Sequence, residues 1–344
     1  MNDEWFWRAV VVVLACAVVS YLLTRLLVAL APKLQLLDRP NMRSSHTVVT
    51  PRGGGLAIVI VGLTSGVWIG NHGQAELGIV LATGLAIALL GLLDDRFPLA
   101  VRWRLSCQVL LAAMLVYSAA PLPVLPLTSV TVLSGTLLAA LVVLAAVWWI
   151  NLFNFMDGID GIAASQAAMM LLVMAWIIHS TGLPAAGEDL FRWMLALCGA
   201  VIGFLVVNWA PARIFMGDVG SLYLGLTIFG IGLLTVSSGV VGYGPWLITA
   251  SLFVVDATFT LCARALDGQV VHQAHREHIY QILARYWQSH ARVTLLYTAL
   301  NVLLVAPLAW VAARKPAMTW PLIVSLYCGL ALVAWLIRRR LPRG

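Results

Sequence analysis

The sequence predicts an all-α polytopic membrane protein. The chain is 62% hydrophobic and only 10% charged, with a mean hydropathy of +0.95, whereas soluble domains carry about 25% charged residues. The deficit of charge runs along the whole chain, so a soluble domain with one anchor is excluded. Apolar stretches of about 20 residues, the length that crosses a bilayer as a helix, recur about eleven times. The alternation of a membrane β-barrel is absent, and helices satisfy their own backbone in lipid.

In chain order the stretches fall at roughly 6–30, 53–70, 77–93, 105–120, 132–151, 162–180, 191–208, 220–237, 245–264, 293–312 and 319–337. The first follows the acidic opening "MNDEW", lacks a basic leader and is long, so it reads as a span and not as a cleaved signal peptide. Cys16, Cys107, Cys198, Cys262 and Cys328 lie singly in or beside apolar runs and read as small buried hydrophobes. No repeat, low-complexity tract or long linker divides the chain, so 1–344 reads as one domain.

The 21 Lys and Arg set the orientation. Sixteen fall in the connections on one side, from Lys33 and Arg52 to Arg338 and Arg343, and four on the other: Arg8, Arg192, Arg314 and Lys315. The positive-inside rule makes the first side cytoplasmic, with the N-terminus periplasmic and the C-terminus cytoplasmic. Asp38, Asp94, Asp95, Asp157, Asp160, Asp218, Asp267 and Glu277 share that side. The net charge of +7 fits membrane topology and anionic lipid or phosphate partners, and indicates no nucleic acid.

Five cytoplasmic segments carry the polar equipment. "LDRPNMRSSHTVVTPRGGG" is basic, holds Arg52 and His46, and ends in glycines where a helix starts; such backbone N–H groups and Arg can take a phosphate. "LLGLLDDRFPL" closes a span with adjacent Asp94 and Asp95, whose repulsion a divalent cation, a proton or Arg96, Arg102 and Arg104 would relieve. "NLFNFMDGIDG" sets Asn151, Asn154, Asp157 and Asp160 three residues apart, a step of about 60° around a helix. Either that face lines a polar cavity, or the helix ends near Gly158 and a loop follows; a hydrogen-bond network between helices is the plainer alternative. "NWAPARIFMGDVGSLYLG" holds Asp218 between glycines as a potential metal ligand, and Phe215, which either stacks on a base or dips into the interface. The largest loop, "RALDGQVVHQAHREHIYQILARYWQSHARV", spaces His275 and His278 to share one helical face. It lacks a zinc motif, so phosphate contact by His275, Arg276 and Tyr280 is the better reading. Asp256, inside the ninth span, raises the alternative of a transporter; packing within the bundle, paired with Arg264, is the simpler expectation. Asn151 is expected to bond between helices.

Hard oxygen ligands interleaved with Arg and His on one face suggest phosphoryl chemistry with Mg²⁺ and a diphosphate at the membrane. Beyond this, "TPRGGG", "GLLDD", "NLFNFMDGIDG" and "FMGDVGSLYLG", in order over about Leu37–Arg292, resemble the MraY/WecA-like polyprenyl-phosphate N-acetylhexosamine-1-phosphate transferases. The segment "AHREHIYQILARYWQSH" looks most like the WbpL-type O-antigen-initiating branch. The resemblance implies transfer of a sugar-1-phosphate from a UDP-N-acetylhexosamine to undecaprenyl phosphate in the bacterial inner membrane, on its cytoplasmic face. UMP is released, and the cofactor is Mg²⁺, with Mn²⁺ as an alternative. It implies Asp218 and Asn154 as metal ligands, and Asp94 and Asp95 as the acidic pair tied to catalysis and the lipid phosphate. Asp157 matches the site carboxylate, Asp160 lies near the base, and Phe215 would stack on uracil. His278 matches the histidine of the last motif, and Arg276 fits the WecA-like pattern. His278-Ile279-Tyr280-Gln281 lacks the family's further histidines, which argues against a muramyl-pentapeptide substrate. Faces that meet lipid and faces that meet a second copy look alike in sequence, so a homodimer is compatible with the chain.

Overall fold

The computed structural model describes residues 3–38, 49–70, 75–128, 131–182, 187–270 and 275–341. His46 and His272 lie outside the described residues. The fold is helical, with α1 (Asp3–Leu34), α2 (Gly55–Ile69), α3 (Ala75–Arg96), α4 (Val101–Ser118), α5 (Gly135–Phe155), α6 (Ile162–Ser180) and α7 (Glu188–Asn208). Then follow α8 (Asp218–Ser237), α9 (Tyr243–Leu266), α10 (Ile279–Trp287), α11 (His290–Leu300), α12 (Ala306–Arg314) and α13 (Thr319–Arg340). Two short hairpins punctuate the loops: β1 (Leu37–Asp38) with β2 (Thr50–Pro51), and β3 (Leu125–Pro126) with β4 (Val132–Leu133).

Every expected span corresponds to a helix, with α11 and α12 together forming the tenth. Among the described residues, nine helices are long and apolar enough to cross a membrane. The two others are α2, of 15 residues, and α4, whose first turns carry Arg102, Arg104 and Gln108. A π-helical turn, Asn301–Val305, joins α11 to α12. Pro307 just beyond it has no N–H to continue an ordinary ladder. Asn301 fills the irregularity, its Nδ2 donating to Gln166 Oε1 at 2.7 Å and to the Tyr297 carbonyl at 3.0 Å.

The bundle is built around α8. Seventeen of its 20 residues are buried, whereas α1 and α13 turn most of their apolar surface outward. Helices α2, α3 and α5 pack on α8, α1 packs on α7, and α13 on α9. The close approach to α8 rests on glycine. A Cβ on Gly55 would overlap the Gly220 Cα, and one on Gly91 would overlap the Asp218 carbonyl.

Three expectations change, two beside α10 and one for the cysteines. Asp256 is buried, but it does not pair with Arg264. It lies against the start of α10, while Arg264 pairs with Glu277. His275 and His278 do not share a helical face, because α10 begins at Ile279; the loop instead brings their rings to 4.7 Å. Asn151 behaves as expected, its Nδ2 donating to Gln108 Oε1 on α4 at 2.7 Å. Of the cysteines only Cys198 is buried; Cys262 and Cys328 are exposed on apolar helices, a setting that a span's outer face permits without a polar partner.

Gly55→Ala is expected to destabilise the detergent-solubilised protein by about 1–3 kcal/mol through overpacking. Gly78→Ala, whose Cβ meets nothing within 4 Å, is the control. Thermal unfolding midpoints compare the two.

Candidate active site

The polar segments converge at the Arg-rich end of the bundle. The stretch NLFNFMDGIDG resolves into a helix end and a loop: α5 stops at Phe155, and Asp157–Gly161 turns back into α6. Gly161 makes that turn at φ +75°, a conformation open to glycine. Its N–H donates to Asn208 Oδ1 at 3.0 Å, and Asn208 Nδ2 donates to the Ile214 carbonyl at 2.8 Å. Asn208 is buried, so its amide welds the DGIDG loop to the loop before α8.

The glycine-rich segment docks beside it as an extended ribbon. Phe215 N donates to the Pro51 carbonyl at 2.8 Å, and Gly54 and Gly55 N donate to the Phe215 and Met216 carbonyls at 2.9 Å each. The ribbon delivers Arg52 to Asp95 at 2.7 Å and to Asp218 at 3.2 Å. Asp95 accepts from Asp218 N at 3.0 Å and Val219 N at 3.1 Å, capping the first turn of α8. Asp94 accepts from Leu99 N at 2.7 Å and pairs with Arg104 at 2.6 Å. Arg96 and Arg102 are otherwise engaged, Arg96 with the Leu34 carbonyl and Arg102 over the Trp103 ring. The adjacent carboxylates thus answer to separate arginines, both of which also approach Asp218.

Asp218 opens into a cleft of about 1360 Å³. Asn154 Nδ2 donates to Asp218 Oδ1 at 3.1 Å and to Ser221 Oγ at 2.9 Å. Asn154, Asp157, Asp160, Asp218, Arg52, Phe215 and Arg276 all line the cleft. Asp94, Asp95, His275, His278 and Tyr280 do not. The Asp94 and Asp95 side chains are 6% and 2% exposed; Asp95 faces a smaller cavity of about 320 Å³ that shares Arg52 and Asp38 with the cleft. His278 is buried beside Phe155, His275 and Tyr280. Tyr280 is buried too, its hydroxyl donating to the Phe155 carbonyl at 2.9 Å where Gly158 leaves no Cβ in the way.

Three further cleft residues escaped the sequence reading. Gln281 and Arg285 project from α10, and His290 lies 3.2 Å from the Asp160 carboxylate. Asp160 also accepts from Ala212 N at 3.1 Å, and its own carbonyl takes the Thr294 hydroxyl at 2.9 Å. His290 belongs to the histidine-rich loop, the one signal in the sequence that could have pointed to it. Asn208 and Ser221 stand inside the quoted fourth segment, but nothing in their type marks them.

The electrostatics of the cleft are those of crowded acids. Enclosure, and then Asp218, push the Asp157 carboxyl well above the usual carboxylate range; Asp95 and Asp160 add to this, and Arg52 opposes it. Among the described residues no three His, Cys, Asp or Glu side chains form a ready metal cage. The donor set nonetheless fits Mg²⁺, which takes hard oxygens from one or two carboxylates and completes its shell with water and substrate phosphate. Asn154 bonds through its amide nitrogen in both contacts, and the unbalanced charge around Asp157 calls for a cation.

Burial first, and then His278, Arg264 and Arg338, lower the His275 pKa to about 4, with Asp256 opposing them. A histidine that binds its proton more weakly when folded destabilises the fold as pH falls from about 6.5 toward 4. His275→Gln is expected to flatten the decline of the unfolding midpoint over that window, measured by a pH series of melts.

Comparison with known proteins places this geometry. Residues 77–236 match glycosyl transferase family 4. A probable undecaprenyl-phosphate N-acetylglucosaminyl 1-phosphate transferase of Bacillus subtilis is 30% identical over 295 residues, covering 84% of this chain and 81% of the relative. A decaprenyl-phosphate N-acetylglucosaminephosphotransferase of Mycobacterium leprae is 30% identical over 367 residues, covering 95% and 90%. The undecaprenyl-phosphate alpha-N-acetylglucosaminyl 1-phosphate transferase of Escherichia coli K12 is 26% identical over 325 residues, covering 90% and 85%. At 30% identity over more than four fifths of both chains, the family is shown: the chain belongs to glycosyl transferase family 4, with the MraY/WecA-like proteins it resembles.

Proposed function

We propose that this protein transfers an N-acetylhexosamine-1-phosphate from a UDP-sugar to undecaprenyl phosphate and releases UMP. The observation that carries the reading is the cleft in which Asp157, Asp218 and Asn154 meet Arg52 at the ends of membrane-spanning helices. A site at that level is open to a water-borne nucleotide sugar and to a lipid headgroup at once. In this reading the membrane is the bacterial inner membrane, and the positive-inside rule favours its cytoplasmic face for the Arg-rich end. The "AHREHIYQ" segment favours the branch that initiates O-antigen synthesis, with N-acetylglucosamine or a 6-deoxy N-acetylhexosamine as the sugar.

In this reading an oxygen of the lipid phosphate attacks the β-phosphorus of the UDP-sugar. The bond from that phosphorus to the bridging oxygen breaks, and UMP leaves with the oxygen. Both reactants are anions, so charge compensation dominates the barrier. Arg52, held by Asp95 and Asp218, supplies a fixed guanidinium at the cleft wall, and Arg276 supplies a second along it. Asn154 and Asp218 would hold Mg²⁺, with Mn²⁺ as a substitute, and the bound ion would screen the phosphates and polarise the transferred group. Asp157 is the carboxylate best suited to take a proton from the lipid phosphate, because it lines the cleft and its proton affinity is raised. Asp94 and Asp95 are bonded on both oxygens and nearly closed off, which suits them to position Arg104, Arg52 and α8. Phe215 offers a ring to uracil, and Asp160 lies across the same cleft.

The transport alternative loses its support, since Asp256 serves the start of α10 through its hydrogen bonds.

Asp218→Asn and Asp157→Asn are each expected to lower UMP release by about 100-fold or more. The assay uses purified protein, undecaprenyl phosphate, Mg²⁺ and a panel of UDP-sugars. Full activity in both variants would remove the assignments, and no UMP from any sugar with the unaltered protein would remove the reaction. EDTA is expected to stop release and added Mg²⁺ to restore it.

A further inference from the structure

Asp256 is buried within α9, and its carboxylate reaches out of the bundle to the first turn of α10. Oδ1 accepts from Ile279 N at 2.8 Å, and Oδ2 accepts from Tyr280 N at 3.0 Å and from the Tyr297 hydroxyl at 2.5 Å. Those backbone groups are the orphan donors that every helix leaves at its N-terminus. Here they are buried, so water cannot satisfy them. The carboxylate therefore serves as the N-terminal anchor of a nine-residue helix that is too short to be stable alone. His278 sits beside the same carboxylate, its Nδ1 at 3.6 Å from Oδ1.

The far side of α10 is the wall of the cleft. Gln281, Ala284, Arg285 and Gln288 line it. Arg285 Nη1 also donates to the Arg276 carbonyl at 2.6 Å, so α10 carries Arg276 with it. Both guanidiniums of this wall thus depend on where α10 begins. Arg264, Glu277, Arg338 and Asp267 bind the preceding loop to α9 and α13, but none of them touches the helix N–H groups.

We infer that Asp256 is a positioning residue for the donor side of the cleft: from inside the membrane span it fixes α10, and so places Arg276, Arg285 and Gln281 against the nucleotide sugar. This rests on the transferase reading above. Asp256 does not touch substrate, and it acts through the helix it holds. Arg276 and Arg285 line the same cleft as Arg52, but Arg52 is held by Asp95 and Asp218 and not by α10, so a shift of α10 displaces the first two guanidiniums and leaves Arg52 in place.

The test compares Asp256→Asn with Tyr297→Phe in the full-length protein. Asn keeps the shape but turns an N–H toward an N–H of α10. Phe removes a buried hydroxyl from the same carboxylate and leaves both backbone bonds. Asp256→Asn is expected to raise KM for the UDP-sugar by about tenfold, with kcat and the KM for undecaprenyl phosphate within about threefold. Tyr297→Phe is expected to change all three by less than about threefold while still lowering the unfolding midpoint. Because Asp256→Asn can fail to fold, hydrogen exchange at the Ile279 and Tyr280 amides in Asp256→Glu, which keeps the charge at a longer reach, gives a second reading, expected to be faster than in the unaltered protein. Unchanged donor KM in folded Asp256→Asn, equal losses in both variants, or unchanged exchange in Asp256→Glu would overturn the inference. If the unaltered protein neither releases UMP nor binds a UDP-sugar in equilibrium dialysis, the transferase reading fails first, and the exchange result still judges the anchor.

Discussion

One carboxylate holds the polar end of this bundle together. Asp95 leaves α3, takes the first two N–H groups of α8 and receives Arg52 from the glycine-rich ribbon. A helix N-terminus inside a membrane protein must find acceptors from protein, since lipid offers none. By satisfying α8 from a neighbouring helix, Asp95 locks the most buried helix of the bundle in depth and rotation. Asp218, the first residue of that helix, is thereby fixed at the cleft. The arrangement also explains why Gly91 and Gly55 lack side chains. The capping bonds are short only if α3 and α2 lie against α8 backbone to backbone.

The same device recurs across the cleft. Asp256 satisfies α10 from α9 much as Asp95 satisfies α8 from α3. In both cases a carboxylate anchored in a span orients a helix that carries cleft residues. Between them the DGIDG loop is tied on one side by Asn208 and on the other by Thr294 and His290. The crowd of acids is therefore not one cluster. Some carboxylates build, and Asp157 and Asp218 remain at the cleft with their charge unbalanced.

The fold was legible because lipid imposes one rule on every span. Apolar runs of the right length gave eleven helices, and the Arg-rich connections marked the end where the site lies. Even Asn151 was readable, since an amide amid apolar residues has few options but a neighbouring helix. The site was legible in its members and less so in their division of labour. Asp94 and Asp157 look equally available in a string of letters. Only the bonds to Leu99 N and Arg104 show that Asp94 is already engaged. The pairing of Asp256 with Arg264 failed because helical spacing puts them on related faces, while a loop residue, Glu277, reaches Arg264 first. The spacing of His275 and His278 suggests a shared helical face, but the helix starts at Ile279, after both of them. Gln281 carried no signal beyond its type, and His290 only its place in the histidine-rich loop.

The brevity of α2 has a consequence for the membrane itself. Its 15 residues rise about 22 Å, well short of a hydrocarbon core of about 30 Å. Its start is pinned to Met216 beside the cleft, so the shortfall cannot be shared by sliding. Hydrophobic mismatch of this kind draws the bilayer surface inward around the short element. Held at the cleft by Gly55, α2 runs out near Ile69 on the opposite side. It is there that the bilayer would thin, so the helix gives up membrane thickness at the face away from the chemistry to keep its start at the cleft.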